Sequence, residues 1–260
     1  MTEQQPDFAD RSGTALVIGG SGGLGRAIVR MLGERGSAVV ATYRGNQSKA
    51  ELAVTEARAY GVRGEARALD TLDTAAVRDL VADVVQRFGG LHTLVYAAGP
   101  HVPMKHLSKV DPDDLATQLD VDAAAFFRVA SACLPALRES AGNIVAVTTA
   151  ATTRFPVRDG LSSAPKAAVE AIARALAAEE GRFGVRVNCV GPGMLTDGMA
   201  EVLISSGELD EVALEITRGN IPLRRFGQAV DIAEAVCFLA SDRAGFISGQ
   251  KLDVDGGYSV

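Results

Sequence analysis

Residues 15–25, ALVIGGSGGLG, restrict what this chain can fold into more than any other stretch. Ala15–Gly20 is a short apolar run of the kind that forms a buried strand. Gly19, Gly20, Gly22, Gly23 and Gly25 then crowd around Ser21 and Leu24, and a helical pattern, Gly23–Gly36, begins at once. Glycines at such a junction allow a tight turn and let backbone N–H groups approach a pyrophosphate, to which the helix N-terminus adds its partial positive charge. An ordinary glycine-rich turn is the other reading, and the strand before it and helix after it favour the nucleotide.

The same alternation continues along the chain. Ser37–Arg44, the EARALD segment ending at Asp70, LHTLVYAAG (91–99), GNIVAVTT (142–149) and VRVNCVGPG (185–193) read as strands. Between them lie helical patterns at 47–61, 73–90, 114–140 and 164–180. In the second of these, Val77, Leu80, Val81, Val84, Val85 and Phe88 form one apolar stripe. Strands separated by helices build a parallel sheet covered on both faces, and right-handed crossovers make it a doubly wound, Rossmann-type α/β fold. No linker, repeat or composition break interrupts the pattern, so residues 13–260 are expected to form one domain. The polar residues 1–12, MTEQQPDFADRS, are expected to be a flexible arm.

Bulk properties narrow the function. The 260 residues are 47% hydrophobic, enough for a buried core, and the net charge of -6 gives no general attraction for nucleic acid or an anionic membrane. Cys133, Cys189 and Cys237 are sparse and sit in apolar contexts, which suits free buried thiols in a reducing compartment. No basic-then-apolar leader and no run of about 18 apolar residues is present, and no metal-ligand spacing occurs, so a cytoplasmic protein without a metal is expected.

The second strand ends Tyr43-Arg44, with no acid to hold an adenosine ribose. An arginine fork suits a 2′-phosphate, so NADP(H) is preferred, with NAD(H) still open.

The spacing VIGGSGGLGRAI resembles the short-chain dehydrogenase/reductase family, and the likeness runs along nearly the whole chain. YAAG (Tyr96–Gly99) stands where that family has NNAG or NAAG, NCVGPGMLTDGM carries the pair Pro192-Gly193, and LRRFGQAVDIAEAVCFLASDRAGFISGQKLDVDGGY resembles its C-terminal stretch. The resemblance implies that Asp70 meets the adenine amine, that Ala98, Gly99, Pro192 and Gly193 line the cofactor, and that Thr196 reaches its amide or phosphate. It also implies a substrate lid after the sixth strand, with Met194, Leu195, Met199, Val202, Leu203 and Ile204 as candidate walls, and Arg224 and Arg225 as candidate phosphate contacts. A homotetramer through the Ala-rich helix is implied as well.

The catalytic set departs from the family's Asn, Ser, Tyr, Lys. Only Lys166 is retained; Asp122 stands at the Asn, Thr149 at the Ser and Ser162, four residues before Lys166, at the Tyr. A phenol beside an ammonium can be a proton donor near neutrality, whereas a serine hydroxyl has no comparable acidity. Thr149 keeps a hydroxyl. An ionised Asp122 only accepts hydrogen bonds, and near Lys166 it could form a water-bridged ion pair that relays protons, or simply pair a cation and stiffen its helix. Tyr96, His101 and His106 are other donors in reach by sequence, each more simply read as a core tyrosine or solvated loop imidazoles. The set is similar to that of the 2,4-dienoyl-CoA reductase branch. That likeness implies reduction of an activated C=C in an apolar or acyl-type small molecule. The alternatives are a carbonyl reductase with a displaced donor and a nucleotide-binding subunit without turnover.

Overall fold

The computed structural model describes residues 6–100, 102–196 and 211–260. Its sheet holds seven strands: β1 (Thr14–Ile18), β2 (Val39–Tyr43), β3 (Gly64–Ala68), β4 (Leu91–Tyr96), β5 (Asn143–Val147), β6 (Arg186–Pro192) and β7 (Lys251–Val254). All pairings are parallel, in the order β3-β2-β1-β4-β5-β6-β7. The order reverses between β1 and β4, and a ligand in such a sheet binds outside the strand ends at that reversal.

The helices are α1 (Gly23–Glu34), α2 (Gln47–Arg58), α3 (Thr74–Phe88), α4 (Pro112–Leu119), α5 (Ala125–Glu139), α6 (Gly160–Glu180), α7 (Glu211–Asn220) and α8 (Ala229–Ala240). Alternate strand residues feed two cores. Leu16, Ile18, Tyr96 and Ile144 pack with α3, α5 and α6, while Ala15, Val17, Val95 and Val145 pack with α1, α2 and α8. A parallel sheet buried on both faces requires this double covering.

The continuous helix expected over 114–140 is divided. α4 ends at Leu119, and Asp120–Ala124 forms a single π-helical turn before α5. Such a turn inserts a residue and rotates the side chains on its C-terminal side, a feature frequent at functional sites. Asp122 sits in this turn, buried. The α5–α6 pair is clamped further along, where Arg138 donates from Nε and Nη2 to the buried Glu180 carboxylate at 2.6 and 2.8 Å.

The expectation of a flexible arm over residues 1–12 is corrected for the described part. Phe8 is 1% exposed and stacks on the buried His92, ring centroids 5.8 Å apart. Asp7 pairs with Arg35 and Arg243, and Arg11 with Asp242. The polar composition around Phe8 hid an anchor: one buried aromatic supplies enough apolar area to hold the segment while its charged neighbours pair at the rim.

Replacing Phe8 by Ala should therefore destabilise the protein by about 3 kcal/mol, the lower range for a buried Phe, measured by urea unfolding. A loss below about 0.5 kcal/mol, as expected at an ordinary surface position, would show that the segment contributes nothing to the core.

Candidate active site

The β1–α1 turn lies at the reversal of strand order. Gly19 adopts φ +82°, and a Cβ there would stand 2.9 Å from the Ala98 backbone. A Cβ on Gly25 would lie 2.1 Å from the Gly19 carbonyl oxygen, so the turn closes onto α1 only with glycine at both positions. Gly22 caps α1 with no side-chain hydrogen bond, and the first turn holds no acid. Its leading N–H groups are left for an anion, with Ser21 and Leu24 half-buried and Gly22 and Gly23 exposed beside them.

Arg44 is exposed immediately beyond β2, and no described carboxylate pairs with it. Asp70 follows β3; one of its oxygens accepts from the Leu72 N–H at 3.0 Å, and the residue is exposed. An uncapped helix end, a glycine turn and an unpaired guanidinium fit the pyrophosphate and 2′-phosphate of NADP(H).

Lys166 lies in the second turn of α6 and reaches the same edge of the sheet. Its ammonium donates to Asp122 Oδ1 at 3.0 Å and to the carbonyls of Ala98 and Val147, each at 3.3 Å. Both ionic side chains are nearly buried, 12% exposed for Lys166 and 5% for Asp122. The pair is direct: of the two sequence readings, a water-bridged relay and the simple pairing of a cation, the structure shows the pairing. Asp122 makes this contact from the π turn. Gly99 completes the wall, since a Cβ there would be 3.5 Å from Nζ. The three N–H groups of the ammonium thus meet three protein acceptors.

Beside Lys166 opens a cavity of about 300 Å³. Its polar lining includes Thr149, Ser162 and Asp159, and its apolar walls include Val102, Met104 and Ile221. Pro192, Gly193 and Met194 bring the end of β6 to it. The Thr149 Oγ1 accepts from the Ala151 N–H at 3.1 Å, which leaves its own O–H to donate into the cavity. Thr196 lies beyond, exposed, its N–H bonded to the Gly227 carbonyl at 2.9 Å.

Two lining groups were not singled out in the sequence. Asp159 precedes α6, and burial pushes its carboxyl up to about 6. Tyr258, from the C-terminal tail, brings a phenol to the same cavity. The tail is held by Asp255, which accepts from Gly257 N, Ser259 N and Ser259 Oγ. A tyrosine from the far end of the chain thus lines the cavity together with the aliphatic hydroxyls of Thr149 and Ser162. The DGGY stretch carries the signal, because the positive φ of Gly256 and Gly257 folds the tail back over Ile221 and Pro222.

Tyr96 points away from this cavity. It is fully buried, edge-on to Phe126, and its O–H donates to the Asp122 carbonyl at 3.4 Å. Burial, with the Asp122 charge adding to it, pushes the phenol above its ordinary value. His106 is exposed, and His101 lies outside the described residues. Leu195 is buried, whereas Met199, Val202, Leu203 and Ile204 also lie outside the described residues. Arg224 and Arg225 are engaged locally, the first with the Gly219 carbonyl and the second with Asp231. The three thiols are buried and free, each pushed up to about 12 by burial. Among the described residues no group of side chains could hold a metal ion, and no helix is long and apolar enough to cross a membrane.

A family model described as enoyl-(acyl carrier protein) reductase matches residues 19–259. A 3-oxoacyl-acyl-carrier-protein reductase of Staphylococcus aureus is 35% identical over 248 residues, 94% of this chain and 97% of that protein. Versicolorin reductase of Emericella nidulans is 34% identical over 249 residues, 94% of each chain. Among solved structures, a short chain dehydrogenase from Burkholderia cenocepacia in complex with NADP is 32% identical, with a TM-score of 0.86 over 97% of this chain and all of that one. The match in sequence and in fold extends over almost the full length, and the chain belongs to the short-chain dehydrogenase/reductase family.

Proposed function

We propose that this protein is an NADP(H)-dependent reductase of an apolar, acyl-type carbonyl compound, acting without a phenol four residues before Lys166. The cavity beside Lys166 carries the reading: its walls are apolar, and its donors stand together at Thr149, Ser162 and Asp159. Both relatives are named as reductases, one of a 3-oxoacyl thioester, and a structural neighbour was solved with NADP.

The bound dinucleotide supplies the hydride. The glycine turn and α1 N-terminus, with Ser21, Gly22, Gly23 and Leu24, would hold its pyrophosphate. Arg44 holds the 2′-phosphate, and Asp70, Ala98, Gly99, Pro192, Gly193 and Thr196 line the remainder. Lys166 would hold a ribose hydroxyl of the cofactor, with Asp122 keeping the ammonium in place. Thr149 and Ser162 donate hydrogen bonds to the substrate oxygen and stabilise the charge that develops there. The chain is also proposed to assemble as a homotetramer through α6.

A second reading is reduction of an activated C=C. It is favoured by the carboxylate at 122 and serine at 162, and by the description of the family model. Product analysis separates the two. With NADPH and acetoacetyl-CoA the protein should form 3-hydroxybutyryl-CoA, detected by absorbance at the nicotinamide band and by mass. Turnover of a 2,4-dienoyl-CoA with no action on acetoacetyl-CoA would transfer the assignment to the second reading. NADPH binding without oxidation of either would overturn the enzymatic assignment.

Arg44→Ala should raise the KM for NADPH roughly tenfold or more, the loss expected for one charged hydrogen-bonding partner, and leave the KM for NADH nearly unchanged. Equal effects on both cofactors would remove Arg44 from the phosphate site. Ser162→Tyr, which supplies the missing phenol, should raise carbonyl reduction above pH 7. An unchanged rate would show that this position does not face the reacting oxygen.

A further inference from the structure

We propose that Asp159 is the general acid of this site, donating the proton that the reduced substrate's oxygen acquires; this rests on the reductase reading above. The carboxyl group occupies a place where it would ordinarily do something else. Asp159 is the residue before α6, and an aspartate there usually accepts from the first backbone N–H groups of the helix. Its side chain makes no such bond. The backbone carbonyl takes over, accepting from the N–H groups of Ser162 and Ser163 at 3.0 and 2.9 Å and from Ser163 Oγ at 3.1 Å. The carboxyl is released to line the cavity, and no described side chain or N–H reaches it.

Spacing places it with the other polar groups. Asp159, just before α6, and Ser162 in its first turn both line the cavity, and Lys166 follows one turn further along the helix. Burial raises the carboxyl to about 6, with no charged neighbour contributing to the shift. A donor of this acidity is matched to work near neutrality.

Among the described residues, the other charged or titratable groups around it are engaged or turned outward. Arg158, at φ +75°, directs its guanidinium to the Met104 carbonyl at 3.0 Å. Arg154 covers the Tyr258 ring, and on α7 Arg218 pairs with Glu215. Lys105 and His106, on the loop before α4, are exposed. Among the described residues, Tyr258 is the remaining titratable group in the lining.

The step balances without a further reactant. Hydride forms a C–H bond at the carbonyl carbon, and the π pair moves to oxygen. The O–H bond of Asp159 breaks as its proton forms the alcohol O–H. The dinucleotide is left oxidised, and the carboxylate regains a proton from solvent through the cavity.

The test uses the full chain with NADPH and acetoacetyl-CoA. In the wild type, kcat should fall as pH rises above the carboxyl's range. Asp159→Asn should lower kcat roughly a hundredfold or more and remove that limb, Asp159→Glu should restore both in part, and NADPH affinity should not change. Urea unfolding gives a second readout. A folded-state value raised from 3.8 to about 6 means that the wild type loses stability as pH rises through that window. Asp159→Asn should then be more stable than wild type at pH 7.5, with the gain shrinking at pH 4.5. An active wild type whose Asp159→Asn variant keeps rate and pH profile overturns the proposal, as does loss of the limb in Tyr258→Phe alone, or a stability gain that does not vary with pH. A wild type that binds NADPH but reduces no probe defeats the reductase reading itself, and is recognised because all variants are then equally silent.

Discussion

The ion pair between Lys166 and Asp122 is the constraint on which the rest of the site depends. Nζ is shared among a carboxylate and two strand-end carbonyls, and thereby links α6, the π turn, the end of β4 and the end of β5. An ammonium this well buried would be costly without its counter-charge, because desolvation penalises each ion alone. The pair fixes where the cation stands relative to the glycine turn at β1. It also explains why α4 and α5 are not one helix: without the extra residue of the π turn, Asp122 would be rotated out of register with Lys166.

Much of the fold was legible in the chain. The ALVIGGSGGLG stretch and the strand–helix alternation led to the parallel sheet, because both arise from local periodicity and glycine stereochemistry. Lys166 and Asp122 were each singled out. Pairing of Asp122 with a cation was one of two readings; the π turn that carries Asp122 was not read, since it has no composition signal of its own in LDVDAAA. The anchoring of Phe8 was hidden for a related reason: one aromatic in a polar run carries no period. Asp159 and Tyr258 reach the cavity only through tertiary folding, one by failing to cap its helix and the other through a tail turned by two left-handed glycines. Position along the chain says little about either.

Dividing the polar work between two places distinguishes this site. The cation is neutralised inside the protein by Asp122, so its field reaches the cavity weakened. The cavity's own carboxyl is left without a cationic partner and is governed by desolvation. Two carboxyl groups within one site thus meet different environments, one paired with a buried ammonium and the other raised by burial. Such a separation is how one fold assigns structural and proton-transfer roles to the same functional group.

The coupling of Lys166 to Asp122 is tested most directly by a double-mutant cycle on Lys166→Met and Asp122→Asn, read as the free energy of urea unfolding. Each single change leaves the other group buried without its partner, so the double variant should be destabilised less than the sum of the two by at least about 1 kcal/mol. Additive losses would mean that the two side chains do not act as one unit, and the account of how the site is built around them would be wrong.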